Sequence, residues 1–425
     1  MGFFSAVGKL VVLNVALALA VYLFALSTRG GDQESIFIQT LDGLYLAARE
    51  TSVRVHVLNM YMFFGVLHPY KYNSKHNITH TCTHAHIYIH KNAHIYIYIY
   101  LPVSISSFLS QSKVVDDIIS NLYHDNALQG KRCLVTGGNR GLGKGISQLL
   151  HKLGCTTVVA ARSTSQGVQL SPSVNASLIR LDLADFDSIC HAAGHPLKPH
   201  QESNISLSVS SSLPYDIVIL NAGIAPYRNI PTRQGFELAL GTNCVGNMLF
   251  TLALWEQGLL KENSRVVIVV SETHRAVSPL DMSHILDPVQ YGLSESMNFY
   301  ARSKLCLVTI AQALSHKLAP HNISVHTICP GPVATDIARD APAAVKWLVD
   351  AFMTAAFQTS LQAARPVVAI AATPAFAGPS GSHHHMYKMK PPRWDTLSKK
   401  RQDELLQTLG EAVKKHNPSC GVSME

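Results

Sequence analysis

From Lys131 onward, short apolar runs alternate with stretches whose apolar positions recur at helical spacing. The runs are KRCLVTGG, TTVVAAR, ASLIRLDL, YDIVILNAG, RVVIVVS and SVHTICPG. Each is almost continuously apolar and ends in Gly, Asn, Ser, Asp or Arg, as strands buried on both faces do. Amphipathic helical stretches lie between them, at Lys144–Leu153, Phe236–Glu256 and Tyr300–Leu318. Strand and helix alternating at this length predict an α/β fold, a doubly wound parallel sheet with helices on both faces. Arg401–Lys415 (RQDELLQTLGEAVKK) adds a terminal amphipathic helix, acids early and lysines late, as the helix dipole favours.

The N-terminal part reads differently. Leu10–Leu26 is a run of apolar residues between Lys9 and Arg29, just long enough to span a bilayer. A membrane anchor is expected there, ahead of a signal peptide cut near Ala25-Leu26-Ser27. Residues 68–112 include THTCTHAHIYIHKNAHIYIYIY, the composition that translated CA/TA repeats would produce. His84, His86, His90 and His94 have no accompanying carboxylates, so no metal site is expected, and His383–His385 read as an exposed loop. The organisation is thus residues 1–30 as anchor or signal segment, 31–113 as a poorly structured insert, and 114–425 as one α/β domain.

Composition changes this picture little. Of 425 residues, 47% are hydrophobic and 15% charged, which suits a packed core. The net charge of +8 is scattered without a Lys/Arg run, so nucleic acid is not an expected partner. Among eight cysteines there is no CxxC pair; Cys133, Cys155, Cys244, Cys306 and Cys329 read as small core residues, favouring a reducing environment.

After the first strand comes Thr136-Gly137-Gly138-Asn139-Arg140-Gly141-Leu142-Gly143. Glycines at a strand-to-helix turn let backbone amides approach a pyrophosphate at the helix N-terminus. The TGxxxGxG spacing resembles the short-chain dehydrogenase/reductase family, and further motifs stand in that family's order: Asp182-Leu183, Asn221-Ala222-Gly223, and Pro330-Gly331-Pro332-Val333-Ala334-Thr335. The resemblance covers roughly residues 130 to 340 and implies a Rossmann-type sheet that binds a nicotinamide dinucleotide. It assigns cofactor contacts to Thr136, Gly137, Asn139, Arg140, Gly141, Leu142 and Gly143. Asp182 and Leu183 would meet the adenine, Asn221, Ala222 and Gly223 close over the cofactor, and Pro330, Gly331, Val333 and Thr335 embrace its nicotinamide half. The second strand ends Ala160-Ala161-Arg162, without the acid that NAD users place there. Arg162 and Arg140 can instead grip a 2′-phosphate through charge-assisted bonds, so NADP(H) is the expected cofactor and NAD(H) the second choice.

Tyr300 and Lys304 lie in YARSK, where i,i+4 spacing puts phenol and ammonium on one helix face as a helical stretch opens. A tyrosine of ordinary pKa, ~10, is a poor acid or base at neutral pH, and a neighbouring ammonium favours its phenolate. The resemblance implies that Tyr300 exchanges the proton, Ser271 hydrogen-bonds the substrate oxygen, and Lys304 tunes the tyrosine and holds the nicotinamide ribose. Asn243, in GTNCVGN, would hold a water of the proton relay.

TRQGFELALGTNCVGNMLFTLAL and RVVIVVSETHRA resemble the branch containing retinol dehydrogenases and related lipid-carbonyl reductases. That implies a small hydrophobic alcohol or carbonyl substrate (a retinoid, a sterol or a lipid aldehyde) in a pocket between His274 and Phe299 and from Ile337 to Phe357. It also implies an endomembrane location such as the endoplasmic reticulum, and a homodimer. Leu220-Asn221-Ala222-Gly223 lacks the doubled Asn of many relatives, and the Ser-rich loop from about His191 to Leu213 is long. The alternative is a catalytically silent NADP(H)-binding scaffold; four filled catalytic positions argue against it. A nucleotide-sugar epimerase would carry GxxGxxG, which is absent.

Overall fold

The computed structural model describes residues 101–425 apart from 163–175, 195–212, 227, 332, 334–357, 417, 419, 421 and 423–425. The expectations for residues 1–100, Ile337–Phe357 and Thr335 therefore lie outside the described residues, as does most of the Ser-rich loop.

The strands are β1 Arg132–Thr136, β2 Thr156–Ala161, β3 Ser177–Arg180, β4 Tyr215–Leu220, β5 Leu260–Val269, β6 Ser324–Cys329, β7 His383–His385 and β8 Lys388–Met389. They form one sheet in the order β3-β2-β1-β4-β5-β6-β7-β8, parallel throughout except where β8 turns back on β7. The helices are α1 Leu101–His124, α2 Gly141–Lys152, α3 Phe186–Ala192, α4 Leu238–Glu256, α5 Leu293–Leu318, α6 Ser360–Ala372, α7 Pro374–Ala377 and α8 Lys399–Lys415.

Each central strand is apolar on both sides because each side meets helices. Leu134, Val218, Leu220, Val266 and Ile268 pack with α3, α4, α5 and α8. Cys133, Val135, Ile217, Ile219, Val267 and Ile328 pack with α2 and α6 on the opposite side. On α4, Met248, Leu249, Phe250 and Leu252 are wholly buried, each contributing about 1.5–3 kcal/mol of transfer free energy. Length and apolarity would let α4 cross a membrane, but its burial makes it the core helix of this domain.

α1 spans the boundary expected at 113/114, and beyond it Val115 is buried with Ala369 and Tyr387 and Asp116 pairs with Arg365 at 2.6 Å. Three expectations need correction. α5 begins two turns before Tyr300, because the Glu295 carboxylate accepts the Gly292 amide at 3.1 Å and starts the helix at Leu293. His383–His385 form β7 rather than an exposed loop, and His383 and His384 are buried, the His383 nitrogens engaged by Thr327 and Glu272 and His384 Nε2 by the Ala377 carbonyl. Two disulfides are present where none was expected: Cys133–Cys155 joins β1 to the entry of β2, and Cys190–Cys420 ties α3 to the C-terminal segment. Cys244, Cys306 and Cys329 are free and buried, as expected of core cysteines.

Candidate active site

The motif residues converge at the C-terminal ends of β1, β4, β5 and β6. Thr136 closes β1, and its hydroxyl accepts the amides of Asn221 (3.0 Å) and Ala222 (2.9 Å) beyond β4. The Asn221 side-chain amide returns a bond to the Thr136 carbonyl at 2.9 Å. The glycine turn and the NAG segment are thus one locked unit. Gly137 has φ +64° and Gly141 φ +50°, conformations that suit glycine. At Gly143 a Cβ would stand 2.2 Å from the Gly137 carbonyl oxygen, so the helix start lies directly on the turn. Arg140, the N-cap of α2, is extended and its side chain caps nothing, leaving the opening amides of the helix available to an anion. This turn fits a dinucleotide pyrophosphate. Arg140 and Arg162 are both exposed beside it, and no acid ends β2. The Asp182 carboxylate accepts the Ala184 amide at 3.0 Å, and Leu183 is buried under α4.

Asn243 sits in a π-helical turn, Gly241–Val245, within α4. Its Oδ1 accepts the Ile224 amide at 2.8 Å, and its Nδ2 donates to the Ile224 carbonyl at 2.8 Å and to Ser303 Oγ at 2.9 Å. The wider turn swings the amide out of the helix to reach the loop after β4. The Asn243 side chain thus clamps that loop to α4 and α5. Ser303, inside YARSK, is the partner that the sequence motif contained but did not single out.

Tyr300 and Ser271 are hydrogen-bonded to one another. Ser271 Oγ also accepts the Thr273 amide (3.3 Å) and hydroxyl (3.0 Å). Lys304 is buried; its Nζ donates to the Val269 carbonyl at 3.2 Å and lies 5.7 Å from the Tyr300 ring centroid. Gly223 lies close above it, since a Cβ there would be 3.3 Å from Nζ. Burial pushes the Tyr300 phenol up to about 12, against the Ser271 bond, and pushes the Lys304 ammonium down to about 8. Desolvation disfavours both charged forms. At neutral pH the phenol is protonated and the lysine still mostly cationic, the state of a proton donor beside a positive charge.

At the end of β6, Pro330 is buried and Gly331 has φ +83°. Val333 bridges Gln358, whose Nε2 donates to the Pro330 carbonyl at 3.0 Å. Behind Ser271 lies a group the motifs did not reveal. Glu272 is bonded by His383 (3.1 Å), Arg275 (3.0 Å) and Lys390 (2.5 Å), partners that hold its carboxyl well below the usual carboxylate range despite burial. His274, wholly buried, is pushed down to about 3 and is neutral.

A glycine turn against a helix start, joined to a tyrosine–serine pair over a buried lysine, defines a dinucleotide-dependent oxidoreductase of the Rossmann class. The chain belongs to the short-chain dehydrogenase family, whose model matches residues 131–281 and 291–346. Human retinol dehydrogenase 14 is 28% identical over 280 residues, covering 60% of this chain and 78% of that protein. Dehydrogenase/reductase SDR family member 13 of Bos taurus is 32% identical over 218 residues, 50% of this chain and 54% of that one. Human polyprenol dehydrogenase is 27% identical over 277 residues, 60% and 76%. A short chain dehydrogenase from Burkholderia cenocepacia J2315 in complex with NADP superposes with TM-score 0.43 at 24% identity, over 61% of this chain and 97% of that one. The chain is accordingly an oxidoreductase of alcohols and carbonyls whose fold binds NAD(P)(H).

Proposed function

We propose that the protein is an NADP(H)-dependent reductase of a small hydrophobic carbonyl, a retinoid, sterol or lipid aldehyde, held at an endomembrane by Leu10–Leu26. The observation that carries this reading is the Tyr300–Ser271 hydrogen bond above buried Lys304. The nicotinamide, when bound, supplies the hydride to the substrate's carbonyl carbon. Tyr300 gives its phenolic proton to the developing alkoxide oxygen, and Ser271 hydrogen-bonds the same atom. Lys304 keeps positive charge beneath the phenol, which offsets the phenolate left after transfer. Asn243 acts by position: it holds Ile224 and Ser303, and so fixes the loop after β4 against the helix that carries Tyr300.

Arg140 and Arg162, exposed at the glycine turn with no acid nearby at the end of β2, support NADP(H) over NAD(H). Relatives named for retinol and polyprenol support a long apolar substrate. A homodimer belongs to the same reading. The test is NADPH oxidation by purified full chain with all-trans-retinal and simpler aldehydes, alongside Tyr300→Phe. Loss of turnover by about 10²–10⁴-fold with NADPH binding unchanged is the expected result. A Tyr300→Phe variant that turns over normally would sink the mechanism, and turnover absent from the unsubstituted chain across the panel would favour the silent scaffold.

A further inference from the structure

The group behind Ser271 has ligand chemistry that hydride transfer does not use. Glu272 and His274 come from the turn after β5, and His383 comes from β7; one ligand atom of each lies within 4.8 Å of the others. His274 places Nδ1 at 2.6 Å from the Ser271 carbonyl. A carbonyl only accepts, so that nitrogen carries the proton. The other nitrogen, Nε2, therefore presents a lone pair, and it is buried with no partner. An imidazole fixed in this way by a backbone carbonyl is the usual arrangement of a metal-bound histidine.

His383 stands between Thr327 Oγ1, 2.9 Å from its Nδ1, and Glu272 Oε1, 3.1 Å from its Nε2. A hydroxyl donates or accepts equally well. Without an ion, Nε2 donates to the carboxylate, which only accepts; when an ion takes Nε2, the proton moves to Nδ1 and is donated to Thr327 Oγ1. Arg275 and Lys390 hold the far oxygen of Glu272, Oε2, which leaves Oε1 facing the histidines. His385 Nδ1, buried and also without a hydrogen-bond partner, is 3.9 Å from that same oxygen.

We propose that Glu272, His274 and His383 form a binding site for a zinc-class divalent ion, with His385 Nδ1 beside the same Glu272 oxygen. Two imidazoles and one carboxylate are a common zinc donor set. The two neighbouring cations weaken any ion held by charge alone, so Zn²⁺ and Co²⁺ bind here while Mg²⁺ and Ca²⁺ do not. The ion ties the end of β5 to β7, one residue from Ser271. The site stands independently of which substrate the enzyme reduces.

The experiment compares metal binding by the full chain with His274→Gln and His383→Gln, each checked for folding by circular dichroism and NADPH binding. Any uptake by the histidines of the N-terminal low-complexity stretch is common to all three proteins and cancels in the difference. One more Zn²⁺ or Co²⁺ per chain is expected in the unsubstituted protein, with affinity at this site lost at least about a hundredfold in either variant. The Co²⁺ visible absorption band should fall with it. Equal metal content in all three folded proteins, or no uptake at all, overturns the site. Should both variants fail to fold, the unsubstituted chain decides. One equivalent of Zn²⁺ must raise its unfolding midpoint, since an ion bridging β5 and β7 binds only the folded state. An unchanged midpoint overturns the proposal.

Discussion

Gly143→Ala tests the close contact between the glycine turn and the start of α2. The added Cβ would stand 2.2 Å from the Gly137 carbonyl oxygen, 2.6 Å from Asn221 Nδ2 and 2.8 Å from the Gly137 carbonyl carbon, where ordinary contact begins near 3.4 Å. Two of the three atoms are backbone and the third is held to the Thr136 carbonyl, so no flexible chain end is free to give way. Helix start and turn must separate by about 1 Å, since repulsion rises steeply inside contact distance. Overpacking of this kind costs about 1–3 kcal/mol of stability. The amides that would face the pyrophosphate move by the same amount, and a 1 Å misplacement of a binding group costs on the order of 10²-fold. The assay is NADPH titration by fluorescence beside a denaturant melt. Gly292→Ala serves as control, because a Cβ there meets nothing nearer than 3.9 Å. A Gly143→Ala protein that binds NADPH within twofold of the unsubstituted chain would refute the reasoning, whatever its stability.

Arg140→Ala with Arg162→Ala should erase the preference for NADPH, weakening it about 10–100-fold at a charged hydrogen bond's worth of 1.5–3 kcal/mol while NADH binding holds; parallel losses would show the arginines do not read the phosphate. The pH profile of kcat/KM should fall as pH rises through about 8, where Lys304 loses its proton, while Tyr300, up near 12, does not titrate in that window. A profile flat from pH 7 to 9.5, measured by NADPH oxidation, would contradict the role given to the lysine charge. Cys420→Ser, which opens a bridge spanning 230 residues, should cost about 2–4 kcal/mol in urea melts run without reductant and nothing with it. Equal stabilities without reductant would show that the bridge does not form.

What was legible in the sequence is what local chemistry encodes. The apolar runs from Arg132 to Cys329 announce strands because both sides of each must be apolar, and the structure places six strands on those six runs. Thr136–Gly143 and Tyr300–Lys304 are equally local, a turn that needs glycine and a pair one helical turn apart. Partnerships across the chain leave no such trace. The bonds of Asn243 to the backbone of Ile224 and the hydroxyl of Ser303 are not written in its motif. Three consecutive histidines read as surface because their partners, Thr327 and Glu272 for His383 and the Ala377 carbonyl for His384, are not written beside them. Cys190 and Cys420 carry no spacing signal across 230 residues. The tyrosine shows the deepest gap. Sequence supplies its neighbour, Lys304, and hence the sign of their attraction, but burial acts on both groups and is a property of the whole fold. Burial raises the Tyr300 phenol, an effect that no neighbouring residue in the sequence announces.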